Sequence, residues 1–124
     1  MAEGRLDDLP SVADINKMIH EPARLLLMAH LYVVESADFL FLMRQTGMTF
    51  GNLSSHMSKL EDAGYIDVEK EFVGKKPNTK LSLTRKGRQA FEVYRKNMQQ
   101  LFTDVPAGSP EGGSGDGGDG YWSW

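Results

Sequence analysis

Asn52, Ser55 and Lys59 carry an amide, a hydroxyl and a cation at spacings of three and four residues. On a helix this spacing places them along one side, with Ser54 beside them. Short polar groups and a single cation can approach base edges and phosphate groups closely. The other side is an apolar stripe at spacings of four, three and four: Leu53, Met57, Leu60 and Gly64. An ordinary amphipathic helix with a solvated face remains the plain alternative for this segment alone.

Residues at both ends bound this predicted helix. Thr49 suits the N-cap, because its hydroxyl can accept a backbone N–H, and Gly64 is a natural left-handed stop. Upstream, Gln45–Met48 predicts a tight turn, and Asp38 is suited to cap a short helix over Phe39–Gln45. Two short helices joined by a turn that contains glycine predict a helix-turn-helix.

A β-hairpin with a basic tip is predicted next. Tyr65–Val73 alternates between apolar residues and acids, and Thr79–Leu83 alternates as well. The residues expected to face inward are Ile66, Val68, Phe72, Leu81 and Leu83, and the acids opposite are Asp67, Glu69 and Glu71. The connector Gly74–Asn78 contains turn-forming residues and places Lys75 and Lys76 at the exposed tip. Beside a helix of this kind, paired lysines favour a phosphate contact.

The last predicted helix begins with an electrostatic conflict. Thr84 is suited to cap it, and Arg85, Lys86 and Arg88 fill its first turn. Cations are unfavourable near the positive end of a helix dipole. A nearby anion would relieve the conflict, and we therefore expect one.

Five blocks of sequence, in this order and spacing, resemble the small winged-helix regulators of the MarR/ArsR type. The blocks are Ile19–Leu25, Gly51–His56, Leu60–Ile66, Phe72–Pro77 and Leu83–Arg88, and together they span roughly Ser11 to Phe102. The resemblance implies a mainly α fold with a small β-hairpin, a winged helix-turn-helix that dimerises through the first long helix and the C-terminal helix. It also implies a transcriptional regulator that binds duplex DNA, with the helix after Thr49 in the major groove and the basic wing on the backbone.

The residues expected to bind DNA lie on the helix and the wing. They are Thr49, Phe50, Asn52, Ser54, Ser55, Lys59, Lys75, Lys76, Asn78 and Lys80. Many such regulators have Arg or Lys where this chain has Ser55, so a strong guanine contact is not predicted. A winged-helix module that binds another protein is the alternative.

Charged residues are distributed unevenly along the chain. The net charge is −3, but residues 22–103 carry twelve cations and eight anions, whereas residues 1–21 and 104–124 are acidic. Eight cations and one anion lie between Lys75 and Lys96. This local excess predicts a surface for an anionic partner. We expect a flexible N-terminus over residues 1–10, a DNA-binding and dimerisation domain over 11–103, and a flexible acidic tail over 104–124.

Two helices predict a homodimer. Pro22 fits the first turn of a helix that runs to Val34 and is apolar nearly all round, so it requires cover on more than one side. The final helix adds a stripe at spacings of three, four and three: Phe91, Tyr94, Met98 and Leu101. The alternative is that both stripes close a single monomeric core.

Several classes of function lack support in the sequence. The absence of cysteine excludes disulfides and thiolate metal sites. His20 and His30 have no local carboxylate partner, and His56 is expected to pack with a bond to backbone, so no metal and no cofactor is predicted. Without a nucleophile elbow or a phosphate loop we expect no enzyme and no catalytic residue. The lack of a long apolar run predicts no membrane contact and a cytoplasmic protein.

Two further features leave alternatives open. Six of the seven methionines fall at apolar positions, which suits adaptable core filling or a soft pocket for an unidentified small-molecule effector. The tail ends in Tyr121–Trp124 and holds both tryptophans. It is either a plain flexible end or a tether whose aromatic residues dock on an apolar groove.

Overall fold

A computed structural model describes residues 9–104. After a single 3-10 turn at Val12–Asp14, the elements in chain order are α1 (Pro22–Val34), β1 (Ser36–Asp38), α2 (Phe39–Thr46), α3 (Phe50–Asp62), β2 (Ile66–Val73), β3 (Lys76–Leu83) and α4 (Arg85–Asp104). The predicted flexible segments fall almost wholly outside the described residues, and the docking hypothesis for Tyr121–Trp124 lies outside them.

Helix α1 has the predicted bounds. Pro22 occupies the first turn, where its missing N–H has no intrahelical partner to lose. The Glu21 side chain caps the helix by accepting the backbone N–H of Arg24 at 2.8 Å. Leu27, Met28 and Leu31 are fully buried, so the inner side of α1 forms the centre of the core.

Helices α2 and α3 form the predicted helix-turn-helix. Gly47 adopts φ +73° after α2, a left-handed conformation that glycine tolerates without strain. The N-cap of α3 is confirmed, since Thr49 Oγ1 accepts the backbone N–H of Asn52 at 3.1 Å. Gly64, at φ +80°, follows α3, and Tyr65 N donates to Leu60 O at 3.0 Å in a Schellman closure.

Asp38 does not cap α2 with its side chain. It occupies the N-cap position but makes no capping bond, and its Oδ1 accepts instead from Asn78 Nδ2 at 3.2 Å. The reason is that Ser36–Asp38 forms β1, which pairs with β3 and turns Asp38 toward that strand. The sheet is therefore antiparallel with three strands in the order β1-β3-β2, one strand more than the predicted hairpin.

The hairpin is tighter at its tip than the sequence suggested. Val73 pairs with Lys76, so only Gly74 and Lys75 form the turn, and β3 begins at Lys76 rather than Thr79. Ile66 and Leu81 are buried as predicted, but Phe72 is 73% exposed. The inward face therefore ends before Phe72, because the hairpin extends past the helices that cover its base.

One apolar core joins all the helices to the sheet. It comprises Ile19, Leu27, Met28, Leu31, Phe39, Leu42, Leu53, Leu60, Ile66, Leu81, Phe91 and Tyr94. Phe91 and Tyr94 of the C-terminal stripe thus pack within this chain. Across residues 9–104, no helix has the length and apolar character needed to cross a membrane.

Candidate nucleic-acid interface

Helix α3 separates into a buried and an exposed side, as its sequence predicts. Leu53 and Leu60 are fully buried. Asn52, Ser55 and Lys59 are exposed on the other side, and Ser54 is half-buried at its margin. The amide, hydroxyl and ammonium groups therefore form a single polar strip along α3 that a ligand can reach.

The N-terminal end of α3 adds an aromatic surface. Phe50 is 65% exposed, and its ring lies on that of Phe39, with 5.0 Å between centroids and an interplanar angle of 55°. Thr49 is exposed beside it, although its hydroxyl already accepts a bond from the helix backbone. Phe39 thus fixes Phe50 in place while leaving an apolar face available to a neighbouring molecule.

The four hairpin residues predicted to contact DNA lie in two different environments, two at the exposed tip and two among acids. Lys75 and Lys76 are exposed at the tip, and neither pairs with a carboxylate within the described residues. Asn78 is half-buried and donates to Asp38 Oδ1 at 3.2 Å and to Glu71 Oε2 at 3.1 Å. Lys80 is half-buried, opposite Asp38 on one neighbouring strand and an acid on the other. Among the hairpin residues predicted to contact DNA, the tip lysines are thus the fully exposed cations, and Lys80 lies between two acids.

One face of the hairpin is acidic. Residues paired directly across antiparallel strands share a face, and the pairing places these acids with Lys80 and Asn78: Asp38, Asp67, Glu69 and Glu71. The sequence indicated the three acids of β2, but Asp38 joins them only through β1. An anionic ligand is expected to approach the tip and avoid this face.

Aromatic rings lie beside two of the three cations at the start of α4, Lys86 and Arg88. The Lys86 ammonium lies 5.8 Å from the centroid of the Tyr65 ring, and the Arg88 guanidinium lies 4.8 Å from that of Tyr32. Ring faces attract cations at such distances. These two cations therefore have partners within the chain, and no external anion is required to explain them.

The chain is similar to known proteins in both sequence and structure. A family model described as a winged helix DNA-binding domain matches residues 23–102. An uncharacterized protein of Methanocaldococcus jannaschii is 32% identical over 89 residues, which cover 72% of this chain and 97% of that protein. A transcriptional regulator homologue from Pyrococcus horikoshii OT3 superposes with a TM-score of 0.65 at 25% identity, covering 68% of this chain and 84% of that one.

The chain belongs to the winged helix DNA-binding domain family. This confirms the resemblance drawn from the five sequence blocks, and the family is one of DNA-binding regulators rather than enzymes. The fold is also similar to that of the PcaV transcriptional regulator from Streptomyces coelicolor, solved in complex with its natural ligand. That match has a TM-score of 0.61 at 13% identity and covers 73% of this chain and 62% of that one. We call α3, the second helix of the helix-turn-helix, the recognition helix after its predicted role, and we call the β2–β3 hairpin the wing.

His56 joins the recognition helix to the start of α1. Its Nδ1 lies 3.2 Å from Arg24 Nη1 and 3.7 Å from Glu21 Oε1, and Arg24 Nε also donates to Met18 O at 2.6 Å. The predicted backbone partner of His56 is thus wrong, because the Arg24 side chain of α1 fills that role. A guanidinium only donates, so its bond requires an unprotonated Nδ1 on His56.

A cavity of about 650 Å³ lies on the other side of Glu21. It is lined by His20, Glu21, Pro22, Leu25 and Tyr94. The Tyr94 hydroxyl lies 2.8 Å from His20 Nδ1, and burial raises the pKa of Tyr94. Within residues 9–104 no three histidine or acidic side chains are grouped so that they could hold a metal ion.

Proposed function

We propose that this winged-helix protein is a transcriptional regulator that binds duplex DNA as a homodimer. The recognition helix lies in the major groove, and the wing tip contacts the phosphate backbone. The observation that carries the proposal is the uninterrupted polar strip of Asn52, Ser55 and Lys59, exposed on a helix whose other side is buried. Since duplex DNA is the partner, we propose that the protein acts in the cytoplasm.

The helix and the wing have different roles in this proposal. Asn52 can pair with the edge of an adenine, Ser55 can bond to several bases, and Lys59 can neutralise a phosphate. The tip lysines add sequence-independent phosphate contacts. Thr49, Phe50 and Ser54 border the strip, and the Phe50 ring is suited to a thymine methyl group. Asn78, bonded to Glu71, acts mainly by ordering the wing, and Lys80 lies opposite Glu69 in the strand pairing, where it offsets the charge of that acid.

Apolar surfaces left exposed on α1 and α4 support the homodimer. Leu26 and Val33 are seven residues apart on one face of α1 and are 41% and 79% exposed. Near the end of α4, Phe102 is 71% exposed beside half-buried Met98. Burial of these side chains against a second copy would remove apolar surface from water, at about 25 cal/mol for each Å².

Light scattering at micromolar concentration tests the dimer. The expected mass is twice that of the 13.8 kDa chain. Val33→Glu should reduce it to one chain, because a charge would be buried in the interface. Val93→Glu, the same substitution at a 58% exposed position of α4 outside that surface, should leave it unchanged. A wild-type mass of one chain would contradict the homodimer.

Selection of bound duplexes from a random pool tests DNA recognition. A dimer should select pseudo-palindromes whose half-sites are about one helical turn apart. Asn52→Ala should change the preferred bases, whereas charge reversal of Lys75 and Lys76 should weaken binding to all duplexes. Lys17→Glu, at an exposed lysine outside the helix and wing, is the matched control for charge reversal.

The acidic face of the wing supports one alternative, a module that binds another protein. Its carboxylates would repel DNA but could meet a basic protein surface. Salt distinguishes the two functions, because duplex binding should weaken with a log–log slope of about −0.9 for each phosphate neutralised. A flat salt response, together with duplex affinity that survives reversal of Lys75 and Lys76, would favour the protein-binding module.

We also propose that a small-molecule effector binds in the cavity at the start of α1. Pro22 and Leu25 supply apolar walls, and Tyr94 and His20 supply polar groups. Glu21 borders both this cavity and His56, so an occupant that moves Glu21 would affect the recognition helix. Phenol is a suitable first probe. It should raise the melting temperature of the wild type more than that of Leu25→Trp, which narrows the cavity.

A further inference from the structure

The wing tip carries large apolar side chains that nothing in the described chain covers. Phe72 is 73% exposed and Val73 is 63% exposed, and both directly precede the two-residue turn. Phe72 pairs across the hairpin with Pro77, which is also exposed. An exposed phenylalanine at the end of a hairpin gives no stability to the core, and its position therefore points to another role.

Strand pairing defines the direction in which Phe72 projects. The pairs Ile66–Leu83 and Val68–Leu81 lie on the sheet face that packs against the helices, and Phe72–Pro77 continues that face outward. Four residues separate Val68 from Phe72, about 13 Å along the strand. The Phe72–Pro77 pair therefore projects beyond the body of the protein on the side of the sheet where the recognition helix packs.

The charges around the tip match a phosphate-lined groove. No acid lies between Phe72 and Pro77, and Lys75 and Lys76 lie in that interval. Lys70 shares the face of Phe72, whereas Lys76 and the wing acids share the opposite face with Val73. An apolar pair with Lys70 on its own face, Lys75 and Lys76 beside it at the tip and the acids on the opposite face complements a groove whose floor is apolar base surface and whose walls are phosphates.

We propose that Phe72, backed by Pro77, is a wedge that enters the minor groove and partly unstacks one base step. The tip lysines hold the phosphates on either side. This inference rests on the proposed binding of duplex DNA and extends the wing's part from backbone contact to deformation of the duplex. Two strands lie about 4.8 Å apart before side chains are added, and the minor groove is only about 6 Å wide. Insertion therefore requires the groove to widen.

Widening of this kind has a known mechanical consequence. Apolar wedges in the minor groove unstack a step and kink the duplex toward the major groove by about 20–90°. Pyrimidine–purine steps such as TA and CA deform most easily. The protein should therefore prefer such a step beyond each helix-contacted half-site, although no side chain reads its bases.

The test uses the full chain and a selected duplex with 2-aminopurine placed at the flanking step. Binding of the wild type should raise 2-aminopurine fluorescence, which reports unstacking, and gel shifts with permuted sites should show a bend. Phe72→Ala should lose both signals and bind on the order of tenfold more weakly, as for the loss of one aromatic–base contact. Its salt slope should not change, because no phosphate contact is removed.

Val73→Ala is the matched control, since Val73 is similarly exposed on the opposite face. It should behave as the wild type, and Phe72→Leu should retain part of the bend. Normal binding with no bend, or with a bend that survives Phe72→Ala, would overturn the wedge while leaving DNA binding intact. Failure of the wild type to bind any duplex would overturn the proposed function itself. Binding to phosphatidylserine vesicles that depends on Phe72, with DNA affinity that does not, would assign the tip to a lipid surface and also overturn the wedge.

Discussion

Gly87 allows α4 to begin directly against the turn that ends the recognition helix. It is buried, and a Cβ atom at this position would overlap the carbonyl oxygen of Tyr65 and lie 2.8 Å from the carbonyl carbon. These are backbone atoms, so no rotamer change can remove the overlap. We therefore predict that Gly87→Ala is strongly destabilising, although alanine is the better helix former.

The magnitude follows from the contacts that must separate. If the start of α4 moves away, Thr84 N loses its 3.0 Å bond to Tyr65 O, and Thr84 Oγ1 loses its 2.6 Å bond to Gly64 O. Each bond contributes about 1 kcal/mol, and overpacking costs about 1–3 kcal/mol more. The gain in helix propensity offsets about 1 kcal/mol. The free energy of unfolding should thus fall by about 2–4 kcal/mol.

Urea and thermal unfolding followed by far-ultraviolet circular dichroism measure this loss. For a domain of this size the melting temperature should fall by roughly 10–25 °C. Gly51→Ala is the matched control, because Gly51 is exposed in the recognition helix and a Cβ there meets no atom within 4 Å. It should stabilise by up to about 1 kcal/mol. If Gly87→Ala unfolded within 1 kcal/mol of the wild type, the inferred close approach of α4 to the turn would be refuted.

Three further predictions concern side-chain bonds. Thr49→Ala should lower the free energy of unfolding by about 1 kcal/mol in urea titrations, because the N-cap bond to Asn52 N is lost, and no change would contradict that cap. Asn16→Ala should cost about 1–3 kcal/mol, since Asn16 donates to the Tyr65 hydroxyl at 2.8 Å and caps two backbone N–H groups; a neutral result would discount these bonds. Burial raises the pKa of Tyr94 above its ordinary value of 10.0, so the folded state holds the phenol proton more tightly and its stability falls as pH rises through 10. Urea midpoints between pH 9 and 11 should therefore fall more for the wild type than for Tyr94→Phe, and parallel curves would contradict this.

Local signals in the sequence predicted most of the recognition unit. The bounds of α1 follow from Pro22, and those of α3 follow from Thr49 and Gly64, because caps and stops act within one turn of the chain. Apolar periodicity alone separated the buried Leu53 from the exposed Asn52. Such features depend on residues within a few positions of one another, and a single sequence contains them in full.

Contacts between residues far apart in the sequence could not be predicted from local patterns. Strand β1 has three residues, too few for a readable alternation, and forms only because β3, some 40 residues later, offers an edge. That pairing diverts Asp38 from capping α2 to the Asn78 amide. His56 likewise finds Arg24 and Glu21, more than 30 residues before it, rather than a nearby carbonyl group. Asp38 and His56 therefore bond to residues that are distant in the sequence rather than to the nearby backbone groups that the sequence predicted.

The two faces of the wing differ, with Phe72 on one and the acids on the other, and the strand register determines which residues lie on each face. A shift of one residue in the β2–β3 pairing would exchange the faces of β2, turning Ile66 and Phe72 toward solvent and the acids of β2 toward the helices. Burial of Ile66 and Leu81 at the base prevents that shift. The core contacts that stabilise the wing thus also set which face carries Phe72 at the tip and which face carries the acids. Because the acids on the other face would be repelled by phosphates, the proposed contact with DNA allows only one orientation of the wing. Affinity should accordingly depend on the packing of the wing base as well as on the lysines at its tip.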